Sequence, residues 1–240
     1  MKPKAILEHI EHRPFQLASR PWKFYQEWNK VIFLHWEVNP ELIRPLIPQG
    51  LDLDIINDKT WISLVAFDMN NIGIRNFYKA PYISDFHEIN IRVYTICNGK
   101  PNVHFISIEG SKRSSCKILK TLSKLPYQHS EMNRTLHSYE SKNEKSNNTF
   151  FIEYKLEDSP INKDKTDLWL TERYALVQEQ RNKIIEYDVH HLEWPMQAIS
   201  IEKLKLNYPK FNELIGRNPD RVHYSKGVQV LTWDKKKHLL

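Results

Sequence analysis

The stretch Phe86-His-Glu-Ile-Asn-Ile-Arg-Val-Tyr94 alternates polar and apolar side chains, and this restricts the fold more than any other feature of the chain. Successive side chains of a strand point to opposite faces. Ile89, Ile91 and Val93 therefore share one face, while Glu88, Asn90 and Arg92 stand roughly 6.5 Å apart on the other. Asn98-Gly99 follows, the strongest short hairpin signal in the chain, and joins a strand over 88–96 to one over 103–109. One surface of a sheet thus carries a carboxylate and a guanidinium with an amide between them.

Related patterns recur along the chain. Trp28 to Val38 is rich in β-branched and aromatic residues and predicts a strand. Pro40 to Ile47 predicts a short helix capped by Asn39, with Pro40 at its first position. Leu51, Leu53 and Ile55 alternate with Asp52 and Asp54, and Asn57-Asp58-Lys59 turns the chain into Trp61 to Asp68, which predicts a second hairpin. Ser114 to Leu125 carries Ile118, Leu119, Leu122 and Leu125 at helical spacing, with Pro126 to end it. Strands are also predicted over Arg134–Glu140, Phe150–Glu157, Tyr174–Gln180, Lys183–His190 and Val222–Trp233. Residues 140–148 read as a polar hairpin tip, and Ile201 to Leu214 as partly helical. Many strands, regular hairpins and few helices define a mainly β (α+β) fold, a barrel or sandwich with covering helices. No repeat or long linker divides it, so 1–240 is expected to be one domain, with 1–20 a packed arm and 235–240 a basic tail.

A chain of 240 residues can bury roughly 70–75% of its unfolded surface, enough for a core and an internal pocket. Six glycines argue against a Gly-rich nucleotide fold. The net charge of +6 would suit nucleic acid or anionic lipid, but much of it sits in Lys112-Arg113, Lys163-Asp-Lys165 and Lys235-Lys-Lys237. These read as solvated loops and a terminus. No reader motif accompanies them, so nucleic acid is not expected as a partner. Cys97 and Cys116 form neither a ligand pattern nor a disulfide framework, which points to a reduced, cytoplasmic setting. The first residues carry Glu8 and Glu11 without an apolar core, so no signal peptide is expected. No run of about 18 apolar residues offers a transmembrane segment.

The chemistry that remains is concentrated in two places. His190-His191 and His87-Glu88 are adjacent pairs whose side chains diverge on a strand, so neither predicts a metal site. There is no His-Glu-x-x-His, Cys-x-x-Cys, Walker loop or Gly-x-Ser-x-Gly elbow, and no cofactor is expected. Cys116 reads as core. Glu88, Asn90 and Arg92 form the first candidate cluster. On an exposed strand they would be a weak surface pair. Inside a barrel they would be desolvated, and a shielded carboxylate beside an arginine can bind substrate or move protons. Leu125-Pro-Tyr-Gln-His129 supplies the second cluster, the phenol of Tyr127 and the imidazole of His129, which could equally be ordinary turn residues. Arg20-Pro-Trp22 reads as a packed arm rather than an anion clamp, and Tyr174 and Trp194 as core rather than ligand stackers.

Several segments occur in a distinctive order: Arg20-Pro-Trp22, Phe33-Leu-His-Trp36, Glu88 to Tyr94, Leu125 to His129, Leu170-Thr-Glu-Arg-Tyr174, His190-His191 with Trp194-Pro195, and His223 to Val228. Over residues 20 to 234 the chain resembles the YqjF-like family of bacterial proteins, a domain of unknown function. That family is similar in fold to acetoacetate decarboxylase. The resemblance implies a cone-shaped antiparallel or mixed β-barrel with covering helices and a closed pocket, with Glu88 inside it. It also implies a homo-oligomer. In the decarboxylase a lysine after a proline forms a Schiff base with its substrate. Here Tyr127 stands at that place and Gln128 beside it. A phenol forms no imine, and Lys124 precedes the proline.

These observations lead to the expectation of a pocket for a small organic ligand, a carboxylate or carbonyl compound. Arg92 and Asn90 would bind it, and Glu88, Tyr127 and His129 would carry lyase, isomerase or hydrolase chemistry without a cofactor. A non-catalytic sensor or carrier would need the same residues. A basic interaction protein is the third alternative.

Overall fold

Strand alternation runs through most of the chain, and the backbone groups it exposes are paired within one large mixed sheet. The computed structural model describes residues 3–76, 83–181 and 183–239. Its strands are β1 (Phe24–Val38), β2 (Asp52–Leu53), β3 (Thr60–Ile74), β4 (Phe86–Cys97), β5 (Lys100–Gly110), β6 (Tyr127–His129) and β7 (Glu131–Arg134). They continue as β8 (Ser138–Asn143), β9 (Asn148–Pro160), β10 (Ala175–Glu179), β11 (Lys183–His190), β12 (Met196–Asn207), β13 (Arg221–Thr232) and β14 (Lys236–Leu239). The helices are short: α1 (Pro3–Leu7), α2 (Pro40–Ile43), α3 (Arg113–Ser123), α4 (Lys165–Thr171) and α5 (Asn212–Ile215).

The sheet order is β14-β11-β10-β5-β4-β3-β1-β13-β12-β9-β8-β7, with β2 on β4 and β6 on β5. A further pairing of β11 with β13, Val189 opposite Thr232 and His190 opposite Leu231, closes seven of these strands into a ring. Ring neighbours are antiparallel except β5 and β10. The strands β12, β9, β8 and β7 leave the ring at β13 and cover its outside. Leu34, Leu64, Ile89, Ile91 and Val93 pack there against Tyr139, Phe150, Ile152 and Tyr154. Inside the ring lie Val31, Phe33, Val65, Phe67, Ile108, Val189 and Val230.

Local chemistry explains the main turns. Asn98 and Gly99 both adopt positive φ, 51° and 72°, as a two-residue hairpin requires. Helix α3 ends where Lys124 takes the left-handed conformation at φ 61°, just before Pro126. The register of β4 and β5 slips between Ile91 and Arg92, which oppose Ser107 and Phe105. Ile106 therefore packs outward with Ile91, whereas Ile108 and Phe105 both face the interior.

Several expectations are corrected. Asn57-Asp58 does make a tight turn, but the residues before it do not pair with Trp61–Asp68 beyond the bridge Ile56–Lys59. Asp52 and Leu53 pair instead with Ile96 and Thr95 of β4, whose edge lay open. The predicted strand Arg134–Glu140 is broken into β7 and β8 because Thr135 Oγ1 accepts hydrogen bonds from His137 and Ser138 N–H. Residues 201–207 are strand rather than helix, since Ile201, Leu204 and Leu206 pack on the outer core and pair with β9. Lys163 is not solvated; it forms an ion pair with Glu172 at 2.7 Å. Residues 236–239 of the predicted tail form an edge strand on β11. Residues 1, 2 and 240 of the arm and tail lie outside the described residues.

Gly227 sits at φ +130°, and a Cβ there would lie 2.3 Å from Trp28 O in the adjacent strand. Gly227→Ala should destabilise by about 2 kcal/mol or more, through backbone strain and loss of the β1–β13 pairing. Gly73→Ala, with nothing within 4 Å, should be within about 0.5 kcal/mol of the parent. Thermal or urea denaturation of both variants tests the contrast.

Candidate functional site

Ring closure turns the polar face of β4 inward. Glu88, Asn90 and Arg92 are each under a tenth exposed and line a cavity of about 400 Å³. Most other walls are apolar: Phe33, Val65, Phe67, Phe105, Val189 and Trp194. Tyr127 and Arg173 also face this space. The reading of Glu88–Arg92 as an exposed strand is thereby overturned, because the sheet has no solvent-facing side at this point.

At one end of the polar stripe, Tyr127 Oη donates to Glu88 Oε2 at 2.8 Å, and Asn90 Nδ2 donates to Oε1 at 3.4 Å. Tyr127 reaches Glu88 because α3 returns the chain into β6, which pairs parallel to β5 with Tyr127 opposite Ile108. Desolvation dominates the Glu88 carboxyl. It pushes the pKa up to about 7 despite the two hydrogen bonds, which favour the anion. Burial and the neighbouring Glu88 hold the Tyr127 phenol well above its usual range. Asn90 Oδ1 is buried without a partner. Rotating this amide would offer its carbonyl to a proton on Glu88 Oε1, so the pair can serve either charge state.

His129 does not join them. It lies two residues along β6, opposite Gly110 and half-exposed, and is not part of the cavity wall. Its imidazole pKa is lowered by burial and by Arg113 of α3. The expectation that Tyr127 and His129 act together is therefore corrected: β6 places Tyr127 in the cavity wall and carries His129 beyond the lining residues.

The other end of the stripe is built by α4. Asp164 and Asp167 form a capping box at its N-terminus, and Asp167 also binds Arg221 at 2.6 Å and His223 at 3.0 Å. Its C-terminal carbonyls, which lack helical partners, face the ring. Arg92 Nη2 donates to Leu170 O at 3.0 Å, as does Tyr94 Oη, and Arg173 Nε donates to Trp169 O at 2.7 Å. Arg173 is also paired with Asp54 Oδ2 at 2.5 Å. Arg92 is not: among the described residues no carboxylate lies within 4 Å of its guanidinium. Arg92 Nε and Arg173 Nη2 are buried without hydrogen-bond partners. Unpaired buried donors of this kind are costly unless something occupies the space beside them.

Arg173 escaped the sequence reading. It follows a helix rather than sitting in an alternating strand, and its segment Leu170–Tyr174 stands out only as one of the ordered motifs of the family resemblance, with no role for Arg173. Tyr174 packs in the core beneath the N-terminal arm, with the Arg13 guanidinium 4.7 Å from its ring. Trp194 is both core and cavity wall. Arg20 binds Asp188 at 2.8 Å as part of the packed arm. His190 turns to the arm, where Nε2 donates to Ile6 O at 2.9 Å, while His191 lines the cavity. No three His, Cys, Asp or Glu side chains converge in a metal-binding group among the described residues. No helix of the described residues is long and apolar enough to cross a membrane.

The architecture is that of the acetoacetate decarboxylase-like proteins. Acetoacetate decarboxylase from Legionella pneumophila superposes with a TM-score of 0.61 at 14% identity, covering 94% of this chain and 91% of the other. An acetoacetate decarboxylase-like enzyme from Sphingomonas wittichii RW1 gives 0.63 at 11%, covering 95% and 98%. The enduracididine biosynthesis enzyme MppR complexed with pyruvate gives 0.57 at 12%, covering 94% and 93%. At these identities the likeness establishes the fold alone. Within that fold the chain belongs to the DUF2071 family, described as an uncharacterized conserved protein, whose profile matches residues 25–229. The uncharacterized protein YqjF of Bacillus subtilis (strain 168) is 31% identical over 240 residues, 97% of this chain and 99% of that protein.

Glu88 makes stability depend on pH with a defined sign. Its carboxyl has a reference pKa of 4.5 and a folded value of about 7. Between these values the unfolded chain releases the proton while the folded chain retains it, so stability falls as pH rises through the window and is flat above it. The total is about 3 kcal/mol. Glu88→Gln lacks this term. Its stability relative to the parent should therefore rise by about that amount between pH 4.5 and pH 8 in urea denaturation.

Proposed function

We propose that the ring cavity binds a small organic carboxylate and that Glu88, assisted by Tyr127, exchanges a proton with it. One observation carries this reading: Arg92 is buried without a carboxylate partner in the same apolar cavity as a carboxyl group whose charge is disfavoured. An anionic ligand would supply the missing charge at Arg92. Arg173 would add a hydrogen bond through Nη2, and Asn90 would hold the Glu88 carboxyl. At a pKa of about 7, Glu88 is divided between base and acid near neutrality, the condition under which general acid–base transfer is most effective. Tyr127 would keep its proton and stabilise the carboxylate form.

Imine chemistry does not fit this reading. Tyr127 follows Pro126 at the Glu88 end, and Lys124 is exposed at the end of α3. Lys23 and Lys235 line the cavity as well, Lys23 paired with Asp234 at 2.7 Å and Lys235 next to Asp234 in the chain; neither stands at the place after Pro126. Proton transfer next to a carbonyl needs no amine. The names of similarly folded proteins, a decarboxylase of acetoacetate and an enzyme captured with pyruvate, support oxo acids as the first ligands to try.

Calorimetry with pyruvate should show saturable binding that weakens at least about tenfold in Arg92→Met. Proton NMR in D2O should show exchange of the pyruvate methyl protons, rising as pH passes about 7. Glu88→Gln should slow this exchange by about a hundredfold or more while binding changes only a few-fold. Unchanged affinity in Arg92→Met would overturn the binding assignment. Binding without exchange above the buffer rate would make the site a carrier or sensor.

A further inference from the structure

The cavity has more room and more apolar wall than the smallest oxo acids can fill. A space of about 400 Å³ is in the range of cavities that hold drug-sized ligands. Pyruvate would leave much of it empty. The polar stripe is also long. Glu88 and Arg92 are four residues apart on β4, roughly 13 Å between their Cα atoms. They do not form an ion pair: Arg92 is held on Leu170 O and Glu88 by Tyr127, which leaves room along the stripe for a ligand longer than pyruvate.

An aromatic wall runs from the Arg92 anchor toward the Glu88 end of the cavity. The Arg92 guanidinium carbon lies 5.7 Å from the Phe33 ring centre. Phe33 meets Trp194 edge to face at 5.2 Å, and Trp194 stacks on Trp28 at 6.1 Å with an interplanar angle of 21°. Trp28 also touches Phe67, with ring centres 5.9 Å apart. All four rings line the cavity. Both indole N–H groups are engaged elsewhere, Trp28 with Gln26 Oε1 at 2.8 Å and Trp194 with Thr171 O at 3.1 Å. What the rings offer the cavity is therefore ring face and edge, with no free donor. Such a surface favours another aromatic or a flat apolar group.

From this geometry we infer that the ligand is an aryl-substituted carboxylic acid, its carboxylate on Arg92 and its ring against Trp28, Phe33 and Trp194. This rests on the carboxylate reading of the site and narrows it. Burying a phenyl group contributes enough to raise affinity about tenfold or more over the short acid.

Unreactive probes separate the two claims: propionate, 3-phenylpropionate and the neutral 3-phenylpropionamide, each titrated by calorimetry. 3-Phenylpropionate should bind at least about tenfold tighter than propionate, and at least about tenfold tighter than the amide. Trp28 is partly exposed near the mouth, so Trp28→Ala should fold. It should weaken 3-phenylpropionate about fivefold or more and leave propionate within about twofold. Equal affinity for propionate and 3-phenylpropionate would overturn the aryl assignment while leaving the carboxylate reading intact. Equal affinity for acid and amide would remove the carboxylate reading itself. If Trp28→Ala left 3-phenylpropionate binding unchanged, the aromatic wall would have no part in recognition.

Discussion

Everything in the cavity depends on the closure of the ring, and the closure is narrow. Among the described residues two pairs join β11 to β13, Val189 with Thr232 and His190 with Leu231. The N-terminal arm reinforces them. Arg13 Nη1 donates to Val189 O at 2.8 Å and to His190 Nδ1 at 3.0 Å, and His190 Nε2 donates to Ile6 O at 2.9 Å. Trp233 N–H bonds Asp188 O at 3.1 Å and its indole bonds Arg20 O at 2.5 Å. Without this seam Val189–His190 of β11 and Leu231–Thr232 of β13 would lose their partners across the ring, the interior would open to water, and Glu88 and Arg92 would be ordinary surface charges. The seam turns an amphipathic strand into a desolvated pair of charges that cannot reach each other.

The two arginines show how such charges are held. Arg173 has a carboxylate, Asp54, within hydrogen-bonding distance. Arg92 has the carbonyl end of α4 instead. The partial negative charge of a helix C-terminus stabilises a nearby cation without neutralising it, which leaves Arg92 able to accept an anion. Behind it, Tyr94, Ser63 and His35 form a buried chain at 2.6 Å spacings that fixes the Tyr94 hydroxyl on the same carbonyl. Burial, His223 and Arg92 itself hold the His35 imidazole pKa well below its usual range, so it adds no positive charge near neutrality. The site is thus polarised along β4, with a cationic end at Arg92 and a protonatable acid at Glu88.

Much of this was legible in the residues. The alternation of Glu88, Asn90 and Arg92 with Ile89, Ile91 and Val93 reported a strand whose two faces have different destinations, because side-chain direction along a strand has a strict period of two. The Asn98-Gly99 turn followed from the positive φ it needs, and the end of α3 from Pro126. His129 was misjudged because sequence spacing along β6 says nothing of how far the neighbouring strands extend. Asp52 and Leu53 were assigned to the wrong neighbour because alternation identifies a strand but not its partner. Arg173 and Asp54 could not be paired from a sequence in which they lie far apart. Asn148, in a stretch that reads as a polar hairpin tip, is buried and donates to Glu109 Oε1 at 2.5 Å.

By itself, then, the sequence determined the local elements, the mainly β class and the polar identity of one face of β4, since these depend on neighbours within a few residues. Its ordered motifs also carried the family resemblance. Only the tertiary structure decided that this face is interior, that Tyr127 meets Glu88 while His129 does not, and that Arg92 is left without a carboxylate. Those outcomes depend on contacts between residues as distant as Arg92 and Leu170, and on a ring closed by β11 and β13. Burial and charge balance are properties of the closed ring as a whole.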